Sequence, residues 1–340
     1  MAATKVILNF PWSKNKENEA KTSKYDADSI SDLAKKVAKS ELREDKEMRE
    51  ESLKQMREWL AKNFDVENVR TDDRFLLRFL RNKKFSIPMA QQQLLKYLNM
   101  RRVMDHMTYN LDFLDDSIKP FFDNGYICVS PIRDRYGRRT ILYSAAGLNG
   151  ISYKYEDQVK AHFIMLETLL ESQEDQILGV VHIGNFCGAS KDHVTIWRNP
   201  TDLLRVFKWG EQSLSLRHKE IHLFNIVSIL KYVIDAGKSV VSSKIKNRVH
   251  VHLTADDMKK QIATVDVLPK ELGGKISMSE MIQSWKMELA TSRNAILALD
   301  KMKILNDQGI IGRRNADKNN NSVSDKSDQV IGSFRRLEID

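Results

Sequence analysis

The chain has 340 residues, 41% hydrophobic and 30% charged, with a net charge of +9 at pH 7. That is ample material for one large or two ordinary domains, and it excludes disorder over most of the length. No apolar run approaches the roughly 20 residues that span a bilayer, and the two cysteines, Cys128 and Cys187, make neither a disulfide framework nor a metal-ligand spacing.

In chain order, residues 1–39 are polar and lysine-rich, and read as a disordered arm. Its start, "MAATKVILNFPWSKNK", lacks the apolar core of a signal peptide, position 2 is Ala2, and the final "RRLEID" has no prenylation cysteine. These features predict a cytoplasmic protein whose membrane association is reversible. Residues 40–63 have the spacing of an amphipathic helix, with Leu53, Met56, Trp59 and Leu60 on one side. "FLLRFLRNKKFS" follows, with Arg74, Arg78 and Arg81 recurring beside Phe75, Leu76, Phe79 and Leu80. Thr71 is placed to cap that helix, and Asp72 and Asp73 suit the positive end of its dipole. A further helix runs from Ile87 to Arg102, with Ser86 as its cap and Pro88 in its first turn. An all-α region thus occupies residues 40–110.

The pattern changes after Asn124. "GYICVSP" and "RRTILYSA" flank the turn "RDRYGR" and predict a hairpin. A helix, "EDQVKAHFIMLETLLESQ", leads to the buried strand "ILGVVHIG", and Asn199-Pro200 opens a helix through Lys208. "EIHLFNI" and "NRVHVHL" are strands, "VSILKYVIDAG" and the capped "TADDMKKQI" are helices. Alternation of strand and helix predicts an α/β domain at residues 111–297 with a mixed, largely parallel sheet. Residues 298–340 read as a mostly disordered tail.

Residues 191–248 carry 11 basic and 5 acidic side chains, so much of the positive excess falls on a sixth of the chain. Such a patch fits a phosphate-bearing partner, nucleic acid or an anionic lipid surface. His222, His250 and His252 lie on strands without HExxH or a cysteine pair and read as structural, so no metal is expected. "ELGGKIS" has the glycines but not the spacing of a phosphate-binding loop. No catalytic signature or cofactor motif is found, which disfavours an enzyme; a lipid-modifying enzyme with an unrecognised site remains the alternative there. The basic stretch lacks aromatic interleaving, which argues against the nucleic-acid reading.

Four ordered blocks carry a resemblance: "DDRFLLRFLRNKKFSIPMA", "SLRHKEIHLFNIVSIL", "KIKNRVHVH" and "LPKELGG". Over roughly residues 40–297 the chain resembles the CRAL-TRIO lipid-binding family, in its tocopherol, retinaldehyde and clavesin branch. The resemblance implies a helical region before a lipid-binding domain, in which a sheet floor and helices enclose one small hydrophobic ligand such as a retinoid or tocopherol. Its lid would correspond to residues 195–216. It also implies reversible docking on phosphoinositide-bearing membranes by a monomer, with no nucleic acid as partner. The basic pair of that cleft resembles Arg217 and Lys219, with Arg205 and Lys208 as neighbours and Arg78 and Arg81 flanking. The alternative for these cations is surface pairing with acids such as Glu211 or Glu220. Alternation along "GVVHIG" places Val181 and Ile183 opposite Val180 and His182. Val181 and Ile183 are expected to line the pocket with Phe163, Leu166, Ile229 and Val233. His182 stands where the family often has an aspartate, and "NFCGAS" departs from its usual glycine and serine pattern.

Overall fold

The computed structural model of the protein describes residues 30–190, 193 and 200–311, and only the backbone of 200–205, 228, 229, 232, 233 and 236. Two helices, α1 (Asp32–Leu42) and α2 (Lys46–Lys62), open the described chain. The single helix expected over residues 40–63 is thus two. Arg43 ends α1 in the left-handed region at φ 65°, and Asp45 caps α2 by accepting from the Met48 N–H at 2.8 Å. Residues 30–39, expected within a disordered arm, are also ordered. Ile30, Ala34, Ala38 and Leu42 bury one stripe of α1 against Ile177 and Leu178, a cluster separate from the main core. The rest of the expected arm, residues 1–29, lies outside the described residues.

Helix α3 (Asp73–Asn82) is capped by Asp72 rather than Thr71: the Asp72 carboxylate accepts from the Phe75 N–H at 3.1 Å. Helix α4 (Ile87–Val103) has Ser86 at its cap position and Pro88 in its first turn. Short helices α5 (Asp105–Thr108) and α6 (Lys119–Asp123) lead into the sheet. At the other end, a 3₁₀ turn at Ala298–Lys301 precedes a two-residue strand, β7 (Lys303–Ile304), paired antiparallel with β1 (Val66–Glu67). The chain therefore stays ordered beyond the boundary expected at residue 298, because this pairing ties it to the helical region.

The main sheet has the order β2-β3-β4-β5-β6. Strands β2 (Ile127–Val129) and β3 (Arg139–Ser144) form the expected antiparallel hairpin. Strands β4 (Val180–Asn185), β5 (His218–Phe224) and β6 (Val249–His252) then add in parallel. Each parallel step crosses over through helix, as parallel pairing requires. Helices α7 (Tyr155–Leu170) and α8 (Gln173–Leu178) join β3 to β4, and α9 (Pro200–Ser213) precedes β5. Helices α10 (Ser228–Val240) and α11 (Ser243–Lys246) join β5 to β6. Helices α12 (Ala255–Lys259) and α13 (Met278–Leu297) complete the fold. The helix expected to end near Lys208 continues to Ser213. Gly179, at φ 77°, links α8 to β4, and a Cβ there would run into the Arg217 carbonyl oxygen.

One hydrophobic core runs from Leu53 and Phe75 in the helical region through the sheet to Met302 and Ile310. Arg78 and Arg81 lie inside it, 1% and 0% exposed. Arg78 donates to Glu167 of α7 at 2.7 Å, and Tyr97 of α4 donates to the other oxygen of that carboxylate at 2.9 Å. The Arg78 guanidinium also lies over Phe75, Phe79 and Tyr97, with centroids 4.1 to 5.0 Å away. Arg81 grips Glu44 with two bonds, at 2.8 and 2.7 Å, and reaches Gln176 of α8 at 2.8 Å. The two arginines expected to flank a basic cleft are therefore interior ties, since each is neutralised and covered before it could meet solvent.

Arg78→Ala should cost about 3–5 kcal/mol, because it leaves the Glu167 charge buried without its cation. Replacing both residues by leucine should recover a large part of that loss. Denaturant titration of the two variants checks this, and equal destabilisation in both would contradict it.

Candidate functional site

The parallel register sorts the sheet into two faces. Ile141, His182, Ile221 and Val249 form one row, and Leu142, Ile183, His222 and His250 form the next, on the opposite face. Tyr143, Leu223 and Val251 share the first face, whereas Val181, Phe224 and His252 share the second. Val181 and Ile183 are 3% and 2% exposed, and Phe163 is buried as well. A side chain bordering a space large enough for a lipid would keep accessible surface, so these three do not line one as expected. Among the expected pocket residues, Leu166 is half-buried, and the side chains of Ile229 and Val233 lie outside the described residues. Ile221, Leu223 and Val249, on the His182 face, are also half-buried.

That face carries a ladder of rings. Tyr126 meets His162 of α7 edge-on at 5.6 Å between centroids, and His162 stacks on Tyr143 at 5.6 Å. Tyr143 stacks on His182 at 5.9 Å, and its hydroxyl lies 3.1 Å from His182 Nδ1. His182 Nε2 lies 2.7 Å from His218 Nδ1. Burial lowers all three imidazoles: His162 below its usual range, His182 well below it, and His218 to about 4. For His218 the nearby Arg248 adds to burial, while Glu211 opposes it. Tyr143, His162 and His218 nevertheless keep partial exposure.

The second face carries the other histidines. His222 Nδ1 lies 3.0 Å from His252 Nε2, and His222 Nε2 lies 3.2 Å from Glu220, which also accepts from Arg138 at 2.7 Å. The His222 contact first, then Arg138 against the effect of burial, holds Glu220 down at about 2. Among the described residues no group of three His, Cys, Asp or Glu is arranged to hold a metal ion.

The basic pair lies at the start of β5, where the register slips between Val180 and Val181. Val180 pairs with His218 and Val181 with Glu220, so Lys219 is the extra residue of a bulge. Arg217 and Lys219 converge on one carboxylate, Glu41 of α1, with Lys219 Nζ 3.0 Å from Glu41. Arg217 also donates to the Ile177 carbonyl at the end of α8. Arg248, just before β6, donates to the His218 carbonyl beside them. Burial and then Arg217 draw both Lys219 and Arg248 below their usual values. Burial alone would raise Glu41, but hydrogen bonds from Lys219 and Arg217 hold it low. Among the described residues, Arg217 and Lys219 thus share the Glu41 carboxylate, and Arg248 lies near enough to feel both Arg217 and Glu41. Glu211 and Glu220 are engaged elsewhere, with Ser242 and Arg138. Lys208 is exposed on α9 and takes no part in the cluster, and the Arg205 side chain lies outside the described residues. So do residues 195–199 of the expected lid, while the rest of it contains α9.

Glu41, Arg248 and the ring ladder escaped the sequence reading. Arg248 had a signal, since it lies in the quoted block "KIKNRVHVH". Glu41 had none, being 176 residues from Arg217 in the chain.

Residues 123–274 match the family model described as the CRAL/TRIO domain. The chain is 29% identical over 244 residues to Clavesin-1 of Xenopus laevis, covering 71% of this chain and 72% of that protein. It is 27% identical over 255 residues to the mouse alpha-tocopherol transfer protein-like protein, covering 75% and 73%. The human protein of the same description is 28% identical over 237 residues, covering 70% and 68%. No helix among the described residues is long and apolar enough to cross a membrane.

The lowered imidazoles have a sign in folding. Below about pH 6.5 the unfolded chain takes up protons that folded His162, His182 and His218 refuse, so stability falls as pH drops from about 6.5 towards 4. Loss of the Glu220 contribution follows only below about pH 4.5. Thermal melts across this range should decline in the upper window, and His218→Gln should flatten part of that decline. A melting temperature constant down to pH 4.5 would count against it.

Proposed function

We propose, from the premise that residues 123–274 form a CRAL/TRIO domain, that this chain binds a small hydrophobic lipid and transfers it at phosphoinositide-bearing membranes, on which it docks reversibly. The observation that carries the docking is the cation cluster: Arg217, Lys219 and Arg248 lie together and repel one another, and among the described residues Glu41 is the carboxylate that pairs with Arg217 and Lys219. Arginine meets a phosphate with a two-bonded fork, and a phosphorylated inositol ring offers several such acceptors. Glu41 occupies the position that an incoming phosphate would take. In this reading Lys208, exposed on α9, adds to the attraction for an anionic surface without joining the cluster.

The half-buried Leu166, Ile221, Leu223 and Val249 support an apolar pocket on the His182 face, opposite Val181 and Ile183. Each methylene moved from water into such a pocket contributes about 0.8 kcal/mol, so a long tail binds firmly without chemistry. Each cation held at an anionic surface contributes about 1 kcal/mol, enough for docking that reverses. The similarity to the alpha-tocopherol transfer protein-like proteins of mouse and human fits this reading. It is a binding role without catalysis, carried out in the cytoplasm by a monomer.

Sedimentation with phosphatidylcholine vesicles, with and without a phosphoinositide, tests the docking. Arg217→Ala combined with Lys219→Ala should weaken phosphoinositide-dependent binding about 30-fold, from two lost contributions of about 1 kcal/mol each. Glu41→Gln should strengthen it by up to about fivefold, the worth of a partly exposed ion pair. Added salt should weaken binding by the parent. A double variant that binds as well as the parent would refute the assignment.

A further inference from the structure

Helix α1 is fastened to the body differently from the chain that follows it. It packs through the small separate cluster of Ile30, Ala34, Ala38 and Leu42 on Ile177 and Leu178, in which the two alanines bury little apolar area. The Ser31 N–H adds a bond to the Glu174 carboxylate at 2.8 Å. Just past α1 the attachment changes character. Glu44 is buried, gripped twice by Arg81 at 2.8 and 2.7 Å, and approached by Arg49 at 3.5 Å. Arg43, between the two, lies in the left-handed region at φ 65°. Firm anchoring therefore begins at Glu44, and Arg43 is the joint about which α1 alone can swing.

Glu41 interrupts the apolar pattern of that helix. It follows Ala34 by seven residues and Val37 by four, which sets a carboxylate in the stripe that faces the body. Lys36 and Lys39 are exposed on the far side. An acid in an otherwise apolar stripe needs a cation opposite it, and Arg217 and Lys219 supply that. The pairing is uneven in its access to solvent. The Arg217 and Lys219 side chains are 16% and 22% exposed, whereas Glu41 keeps 46%. While Glu41 stays, the cations are largely closed to a phosphate arriving from outside. Glu41 itself is open to displacement.

From this arrangement we infer that α1 is an autoinhibitory strap: it closes the cation cluster through Glu41, and the phosphates of a membrane phosphoinositide lift it by taking the same two cations. The inference rests on the docking reading given above and adds regulation to it. A phosphate monoester carries a charge of about −1.5 to −2 at neutral pH, against −1 for the carboxylate, and offers more acceptor oxygens to the arginine fork. Once Glu41 is displaced, the small cluster on Ile177 and Leu178 is left as the main seat of α1. The coupling is reciprocal. A lipid that opens α1 must bind more tightly, by the same factor, to a protein in which α1 is already open.

The test pairs amide hydrogen exchange with vesicle sedimentation on the full chain, using phosphatidylcholine vesicles with and without phosphatidylinositol bisphosphate. The phosphoinositide vesicles should speed exchange in α1 about tenfold or more and leave α2 unchanged, and plain vesicles should change neither. Ala34→Gln, two turns from Glu41 and uncharged, crowds the seat of α1 without touching the cations. In the free variant α1 should exchange faster, with α2 as the internal check that the rest is folded. Phosphoinositide binding should strengthen by the factor of that acceleration, as long as α1 stays mostly closed. Glu41→Gln should loosen α1 and strengthen binding in the same proportion. Binding by the parent with α1 still protected would overturn the strap and leave the docking standing. So would an α1 loosened by Ala34→Gln with no gain in binding. Absence of phosphoinositide binding in the parent and in both variants would overturn docking and strap together.

Discussion

The carboxylate of Glu167 is the point on which the rest of the molecule hangs. It sits in the middle of α7, on a residue 1% exposed, and is met by Arg78 of α3 and Tyr97 of α4. Burial alone would raise its carboxyl, but Arg78 and Arg101 hold it below the usual range. A buried charge of this kind tolerates few alternative arrangements, because any slip of α7 would strand it. It therefore fixes the rotation of the helix that carries Gln158, His162 and Leu166. Arg81 does the same for α8 through Gln176, and α8 ends in the Ile177 carbonyl that holds Arg217. Two arginines inside the helical region thus set the positions of both candidate sites.

The fold was legible where periodicity and turn chemistry agree. The "RDRYGR" turn announced the hairpin, and the helices between β3 and β6 announced parallel crossovers, because each is long enough to return the chain to the same edge of the sheet. The break between α1 and α2 was not, since the left-handed residue there is Arg43 and neither glycine nor proline marks it. Alternation correctly divided Val181 and Ile183 from Val180 and His182. It could not say which face is packed, as that depends on which helices cover each side. The arginines of α3 show the same limit. Their spacing marked a charged face, and only the partners Glu44 and Glu167, 37 and 89 residues away, turn that face inward.

The candidate sites were harder to read, because they are assembled from distant segments. Tyr126, Tyr143, His162, His182 and His218 come from β3, α7, β4, β5 and the approach to β2, with no common spacing. His182 was visible as a departure from the family pattern, and its meaning lies in neighbours that a single sequence does not join. The bulge at Lys219 is equally silent in the chain, although it brings Lys219 round to the carboxylate that Arg217 already holds.

That bulge also explains how opposite electrostatic requirements coexist within three residues. Arg217 and Lys219 need solvent nearby, since full burial of the two like charges would strip the proton from Lys219 or unfold the strand. His218, between them, faces inward to His182, and burial keeps it neutral, as among the described residues a protonated imidazole there would meet no carboxylate at hydrogen-bond distance. Regular alternation would separate the same side chains by face, but it would also pair Lys219 within the ladder. The extra residue frees Lys219 from that pairing while the ladder resumes at Glu220. One short, irregular stretch therefore divides a charged exterior from a neutral interior.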